Sequence, residues 1–158
     1  MSKLYRLLFA LAALAMLVSP AAAQNRNYVA RLNAADAIVS RSEGQAIFQK
    51  SRDSDTIGFR LIVANLSNTT QAHIHVASVP GADGPVAVWL HPHSPPGGLI
   101  PGRFSGVLNT GTLTEADFRG PLLGQDMQTL MVAIAEGRAY VNVRTTANPG
   151  GEIRGTIR

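Results

Sequence analysis

All four histidines of this 158-residue chain fall in one short window, as two His-x-His pairs: His73-Ile74-His75 and His91-Pro92-His93. In an extended strand, side chains two apart leave the same face, with backbones about 6–7 Å apart. Two imidazoles at that spacing can converge on one metal ion. The second pair directly follows an apolar run and is held extended by Pro92. The chain has no cysteine, so the metal donors available are imidazole with a carboxylate or water, a set that suits copper, zinc or nickel. The other reading of the same residues is structural. Histidines on the polar side of a strand also cap loops and bond backbone carbonyls, and His91-Pro92-His93 also suits a solvated loop. His73, His75, His91 and His93 are therefore the candidate metal ligands, with copper the metal the set suits first. Whether the two pairs meet is a question for the fold.

Other chemistries find less support. Ser67 and Ser105-Gly106 lack a nucleophile-elbow context, and no phosphate loop or dinucleotide fingerprint is present. Asp83, Glu115, Asp117, Glu136 and Glu152 suit turns, caps and solvated positions. Glu152 and Arg154, two apart on an expected strand, predict a same-face ion pair of small value. Zero cysteines also exclude thiol catalysis, thiolate metal sites and a redox disulfide.

The elements that would position these residues read as short strands between Gly/Pro turns. Thr56 to Ala64 alternates best, with Ile57, Phe59, Leu61 and Val63 on one side. Ala72 to Ala77 sets Ile74 and Val76 against His73 and His75. Val86 to Leu90 is almost continuously apolar, which predicts a central strand, with Trp89 in the packing. Tyr28–Leu32, Gln45–Gln49, Phe104–Leu108, Ala139–Arg144 and Glu152–Ile157 complete the set, the last two as a hairpin around Asn148-Pro149-Gly150-Gly151. One or two short helices fit the C-terminal half. Thr114 is an N-cap with Glu115 and Asp117 in the first turn, and Asp126 to Glu136 ends at Gly137. The expected fold is all-β, a single antiparallel β-sandwich of Greek-key type.

The first 23 residues read as a cleaved secretory signal peptide. Lys3 and Arg6 precede an apolar run, Leu7 to Val18, shorter than the roughly 20 residues that span a bilayer. Ala21-Ala22-Ala23 then offers a cleavage site. Residues 24–158 are expected as one domain, periplasmic or extracellular, with no membrane span. The 14 basic and 10 acidic residues become 12 against 10 once Lys3 and Arg6 are removed. The arginines are scattered, which does not support a nucleic-acid surface.

The order of motifs resembles a CHRD (chordin-type) domain along essentially the whole mature chain, from about Tyr28 to Arg158. Ala72-His73-Ile74-His75, Gly81 through Asp83-Gly84-Pro85-Val86 and Val88-Trp89-Leu90 look like one half. Gly111-Thr112-Leu113-Thr114, Gly137-Arg138-Ala139-Tyr140-Val141-Asn142-Val143-Arg144-Thr145 and Pro149-Gly150-Gly151-Glu152-Ile153-Arg154-Gly155 look like the other. The resemblance implies an exported all-β domain with no established enzyme activity. This chain carries Arg144 where such domains usually have His, and Ala35-Asp36-Ala37-Ile38-Val39 where they have an acidic-Pro-Pro element. Three functions stand in order: a non-enzymatic binding or structural module with an extracytoplasmic protein partner; a copper or other metal binder using the His-x-His pairs; and, last, an enzyme like copper/zinc superoxide dismutase, for which four histidines supply too few ligands.

Overall fold

A computed structural model describes residues 27–92 and 98–158. The expected signal peptide and His93 lie outside the described residues. Seven strands form a single antiparallel sheet: β1 (Asn27–Ala34), β2 (Glu43–Lys50), β3 (Ile57–Val76), β4 (Val86–His91), β5 (Ile100–Leu113), β6 (Ala139–Thr145) and β7 (Ile153–Thr156). The order β2-β1-β7-β6-β3 closes on itself, because β2 pairs β3 as well as β1. The result is a five-stranded barrel, and the expected sandwich of two sheets gives way to it. Alternation fixes which side of a strand is apolar, but it is silent on which strands are neighbours. Here β1 meets β7 through Asn33–Arg154 and Ala34–Ile153, and that contact between the two ends of the domain closes the ring.

Strand β3 is the spine. Its first half pairs β2 and β5, and its second half pairs β6 and β4. The sequence predicts two strands here, Thr56 to Ala64 and Ala72 to Ala77, with Asn65–Gln71 between them. That segment instead stays in the ladder. Asn65 and Asn68 take positive φ of 57° and 52°, beside register shifts between Val63 and Leu66 and between Ser67 and Thr69. Asparagine tolerates the left-handed region better than most residues. Bulges at these points let one strand bend and serve different neighbours along its length.

The apolar alternates make the core. Ile57, Leu61, Leu66, Ile74, Val141, Val143 and Ile153 are essentially inaccessible. Full burial of each such side chain contributes about 1.5–3 kcal/mol. Strand β4 lies at one end of the strand order, so the expectation of a central strand is corrected. Its two-sided apolarity has another cause. The segment after β5 folds over it: Phe118 forms a bridge to Val88, and Arg119 N–H donates to the Ala87 carbonyl at 2.8 Å. The edge is thereby covered.

The expected helices occur, one of them shortened. Thr114 precedes a single 3-10 turn, Glu115–Asp117, and its N–H donates to Asp117 Oδ2 at 2.8 Å. The second is α1 (Met127–Ala135), capped by Asp126, whose carboxylate accepts from Thr129 N–H at 2.9 Å. Gly137 ends it at φ 70°, a conformation glycine adopts at no steric cost. Among the described residues, no helix is long and apolar enough to cross a membrane.

Candidate functional site

The register of β3 against β6 assembles a polar face on the side of β3 opposite Ile74. Gln71 lies across from Arg144, His73 from Asn142 and His75 from Tyr140. On the other edge, His73 lies across from Trp89 of β4. Because side chains alternate, these residues emerge together while Ala72, Ile74, Val141 and Val143 fill the core. The sequence expectation that His73 and His75 point away from Ile74 and Val76 therefore holds. What differs is exposure: His73 is 1 % and His75 is 5 % exposed.

The two imidazoles stand 5.8 Å apart, centre to centre. His73 meets the Trp89 ring edge-on at 4.4 Å, so the tryptophan packs on the polar face. His75 stacks on Tyr140 at 5.0 Å, 14° from parallel. Its Nδ1 donates to the Gly84 carbonyl at 2.8 Å, which fixes the tautomer, since a carbonyl only accepts. Gly84 N–H in turn donates to Tyr140 Oη at 3.1 Å. Gly84 is glycine for a steric reason: a Cβ there would run into the Val76 carbonyl. Arg154 from β7 lies 4.4 Å over the Tyr140 ring and pairs with Asp83 at 2.8 Å. The 83–84 segment is thus strapped to β3, β6 and β7.

The site's main peculiarity is what it leaves unbonded. Both ring nitrogens of His73, Nε2 of His75 and Nε of Arg144 are buried and find no hydrogen-bond partner among the described residues. Such groups are rare in folded proteins and each costs about 1–3 kcal/mol. Burial, then the Arg144 guanidinium, then His75 push the His73 imidazole down to about 3. Burial, with Arg144 and Arg154, also lowers His75 against the opposing effects of the Gly84 carbonyl and Asp83. Both rings are neutral at physiological pH.

Of the second pair, His91 alone lies within the described residues. His91 lies opposite Ala72 at the end of β4, and its Nε2 donates to the Gly98 carbonyl at 2.9 Å. Among the described residues no three His, Asp or Glu side chains gather closely enough to hold a metal ion.

A second buried polar cluster corrects an expectation. Glu152 does not pair with Arg154. It accepts hydrogen bonds from Ser42 (2.7 Å), Thr145 (2.7 Å), Ser40 (2.8 Å) and Asn148 (3.2 Å), while Arg154 takes Asp83. Burial alone would raise the Glu152 carboxyl, but these four bonds outweigh it and hold the group below its ordinary value. Glu152 ties the segment before β2 to the β6–β7 turn.

Sequence reasoning placed His73, His75 and Arg144 but gave no site role to Gln71, Trp89, Tyr140 or Asn142. The period-two polarity of Tyr140, Asn142 and Arg144 was a usable signal. Its register against β3 was not.

The model of the family described as the CHRD domain matches residues 28–157, nearly the whole described chain. Comparison with curated proteins gave no match, and comparison with solved structures gave none.

Proposed function

Because the chain belongs to the CHRD domain family, we propose that it is an exported, non-catalytic binding module whose ligand face is the outer side of β3, β4 and β6. The observation that carries this reading is the set of four buried nitrogens on His73, His75 and Arg144 that have no hydrogen-bond partner among the described residues. Selection for stability alone would favour apolar side chains here, so the presence of these polar groups fits a binding role. Export is supported by the Lys3/Arg6 leader with its Ala21-Ala22-Ala23 site and by the occurrence of CHRD domains in extracellular and secreted proteins. The mature unit is residues 24–158.

The test uses Trp89, the chain's single tryptophan, as a reporter beside His73. His73→Phe and Arg144→Met should each raise the melting temperature, since they remove unsatisfied polar atoms, while abolishing any ligand-induced change in Trp89 fluorescence. Two destabilised variants would assign these residues a purely structural role instead.

A second reading, transition-metal binding with copper foremost, is favoured by one detail. With its Nδ1–H tied to Gly84, His75 keeps a bare but buried Nε2 lone pair, and a second ring nitrogen held in this way is the usual preparation of an imidazole ligand. His91 and His93 are the further ligands this reading would recruit. The fixed charge of Arg144 opposes it, so Cu²⁺ affinity should rise in Arg144→His and vanish in His75→Ala. Unchanged calorimetric binding in His75→Ala would end the metal reading. Superoxide dismutation should not accelerate even with copper added.

A further inference from the structure

Three arginines far apart in the sequence meet on the outer wall of the barrel. Val29 and Arg158 exchange both backbone hydrogen bonds, at 2.8 and 3.1 Å. Val29 lies across from Ile47, and Ile47 from Arg60. One cross-strand row therefore runs Arg158, Val29, Ile47, Arg60. Their chain neighbours Ile157, Ala30, Ala46 and Leu61 fill the core, so the row points outward. Arg31 stands in the next row, diagonal to Arg158, a separation of about 7–8 Å in a paired sheet.

These residues line open grooves. Arg31, Arg158, Val29 and Thr156 bound one of about 470 Å³. Arg31 also borders a second, of about 480 Å³, with Asn33, Gln45 and Ile62. Arg60 borders a third, of about 440 Å³, with Gln49, Thr110 and Thr112. Each volume is in the range of small-molecule sites. The three arginines are exposed, and among the described residues none of them makes an ion pair or a side-chain hydrogen bond. Glu43 is the one carboxylate lining these grooves, which leaves the wall cationic.

We propose that this wall binds an acidic polysaccharide, whose carboxylate or sulfate groups pair with Arg31, Arg158 and Arg60. A guanidinium holds such groups through two parallel hydrogen bonds. The row from Arg158 to Arg60 covers three strand spacings, about 14 Å along the wall. One small anion does not bridge that distance. A chain with repeated charges engages both ends, and its second contact forms at high effective concentration. Between the cations lie the amides of Gln45 and Gln49 and the hydroxyls of Thr110 and Thr156, which both donate and accept, as sugar hydroxyls do. Phe59 is the only aromatic residue lining these grooves, and it is buried in the core. A single-stranded nucleic acid therefore lacks a stacking platform here, and a protein partner lacks aromatic anchors.

This is a different part of the outer wall from the part bearing His73, and the experiment keeps the two apart. Alginate, dextran sulfate, neutral dextran, monomeric galacturonate and a single-stranded DNA are each titrated into the protein by calorimetry, at low and at high salt. Alginate or dextran sulfate should bind, and the stronger of the two identifies carboxylate or sulfate as the group recognised. Added salt should weaken that binding at least tenfold, and dextran should show none. Arg31→Gln, Arg60→Gln and Arg158→Gln should each weaken it at least threefold at an unchanged melting temperature, because these side chains are exposed. The triple variant should lose it. Arg119→Gln, which removes a cation lying over β4, should retain it. The inference is overturned if dextran binds as well as the charged polymers, if galacturonate matches alginate per sugar, or if the DNA binds more tightly than either polymer. Wild-type affinity in the folded single variants overturns it as well. His73→Phe should leave polymer binding intact, and a loss there would take the site away from this wall.

Discussion

His75 and Tyr140 face each other across the β3–β6 ladder, their rings stacked at 5.0 Å, and both hold Gly84: the imidazole its carbonyl, the phenol its N–H. One glycine thereby fixes the tautomer of a buried histidine. The arrangement links the Pro80–Pro85 turn to the chemistry of the polar face and makes the contribution of each group measurable.

Tyr140→Phe removes the acceptor for Gly84 N–H and leaves the ring stack in place. The expected cost is about 1 kcal/mol, read as a lower urea midpoint at unchanged m-value. Gly84→Ala should cost more, because its Cβ meets the Val76 carbonyl. If Gly84→Ala is the milder change, the strap does not pack as described.

Acid should destabilise the fold in two windows. His73 binds its proton only at about 3 in the folded chain, against about 6.5 unfolded. Its contribution is therefore complete above 6.5 and is lost progressively as the pH falls from 6.5 towards 3. His73→Phe should flatten this slope in a denaturation series between pH 4 and 7. An unchanged slope would mean that His73 titrates normally.

Glu152 acts in the same direction at lower pH. Its carboxyl is held below the ordinary value, so its stabilisation is present above the usual carboxylate range and disappears as the pH falls through its folded value. Glu152→Gln should cost about 2 kcal/mol at pH 7, since four donors lose a charged acceptor, and should cost less in acid. A pH-independent loss would contradict the account.

Phe118→Ala should cost about 3–5 kcal/mol and uncover the β4 edge. Concentration-dependent aggregation, read by light scattering, is the expected signature. A monomeric variant of wild-type stability would show that Phe118 does not cover the edge.

The sequence by itself determined the all-β kind of structure and the side of the strand from which His73, His75 and Arg144 leave. Period-two alternation in Ala72–Val76 and Ala139–Arg144 sorts Ile74, Val141 and Val143 to the core and His73, His75 and Arg144 to the other side, because strand geometry alone dictates that split. Motif order carried the family, which the match over residues 28–157 bears out. Asp126 and Gly137 marked the ends of α1, because caps are local. What only the tertiary structure decided are relations between distant segments. Barrel closure depends on β1 meeting β7, and the continuity of β3 depends on two asparagines accepting positive φ within a ladder. The partners of Glu152 come from residues as far away as Ser40. Burial of His73 follows the same logic. A strand pattern states which side a side chain leaves from, whereas its exposure is set by whatever else packs there, and that choice is made across the sheet rather than along the chain.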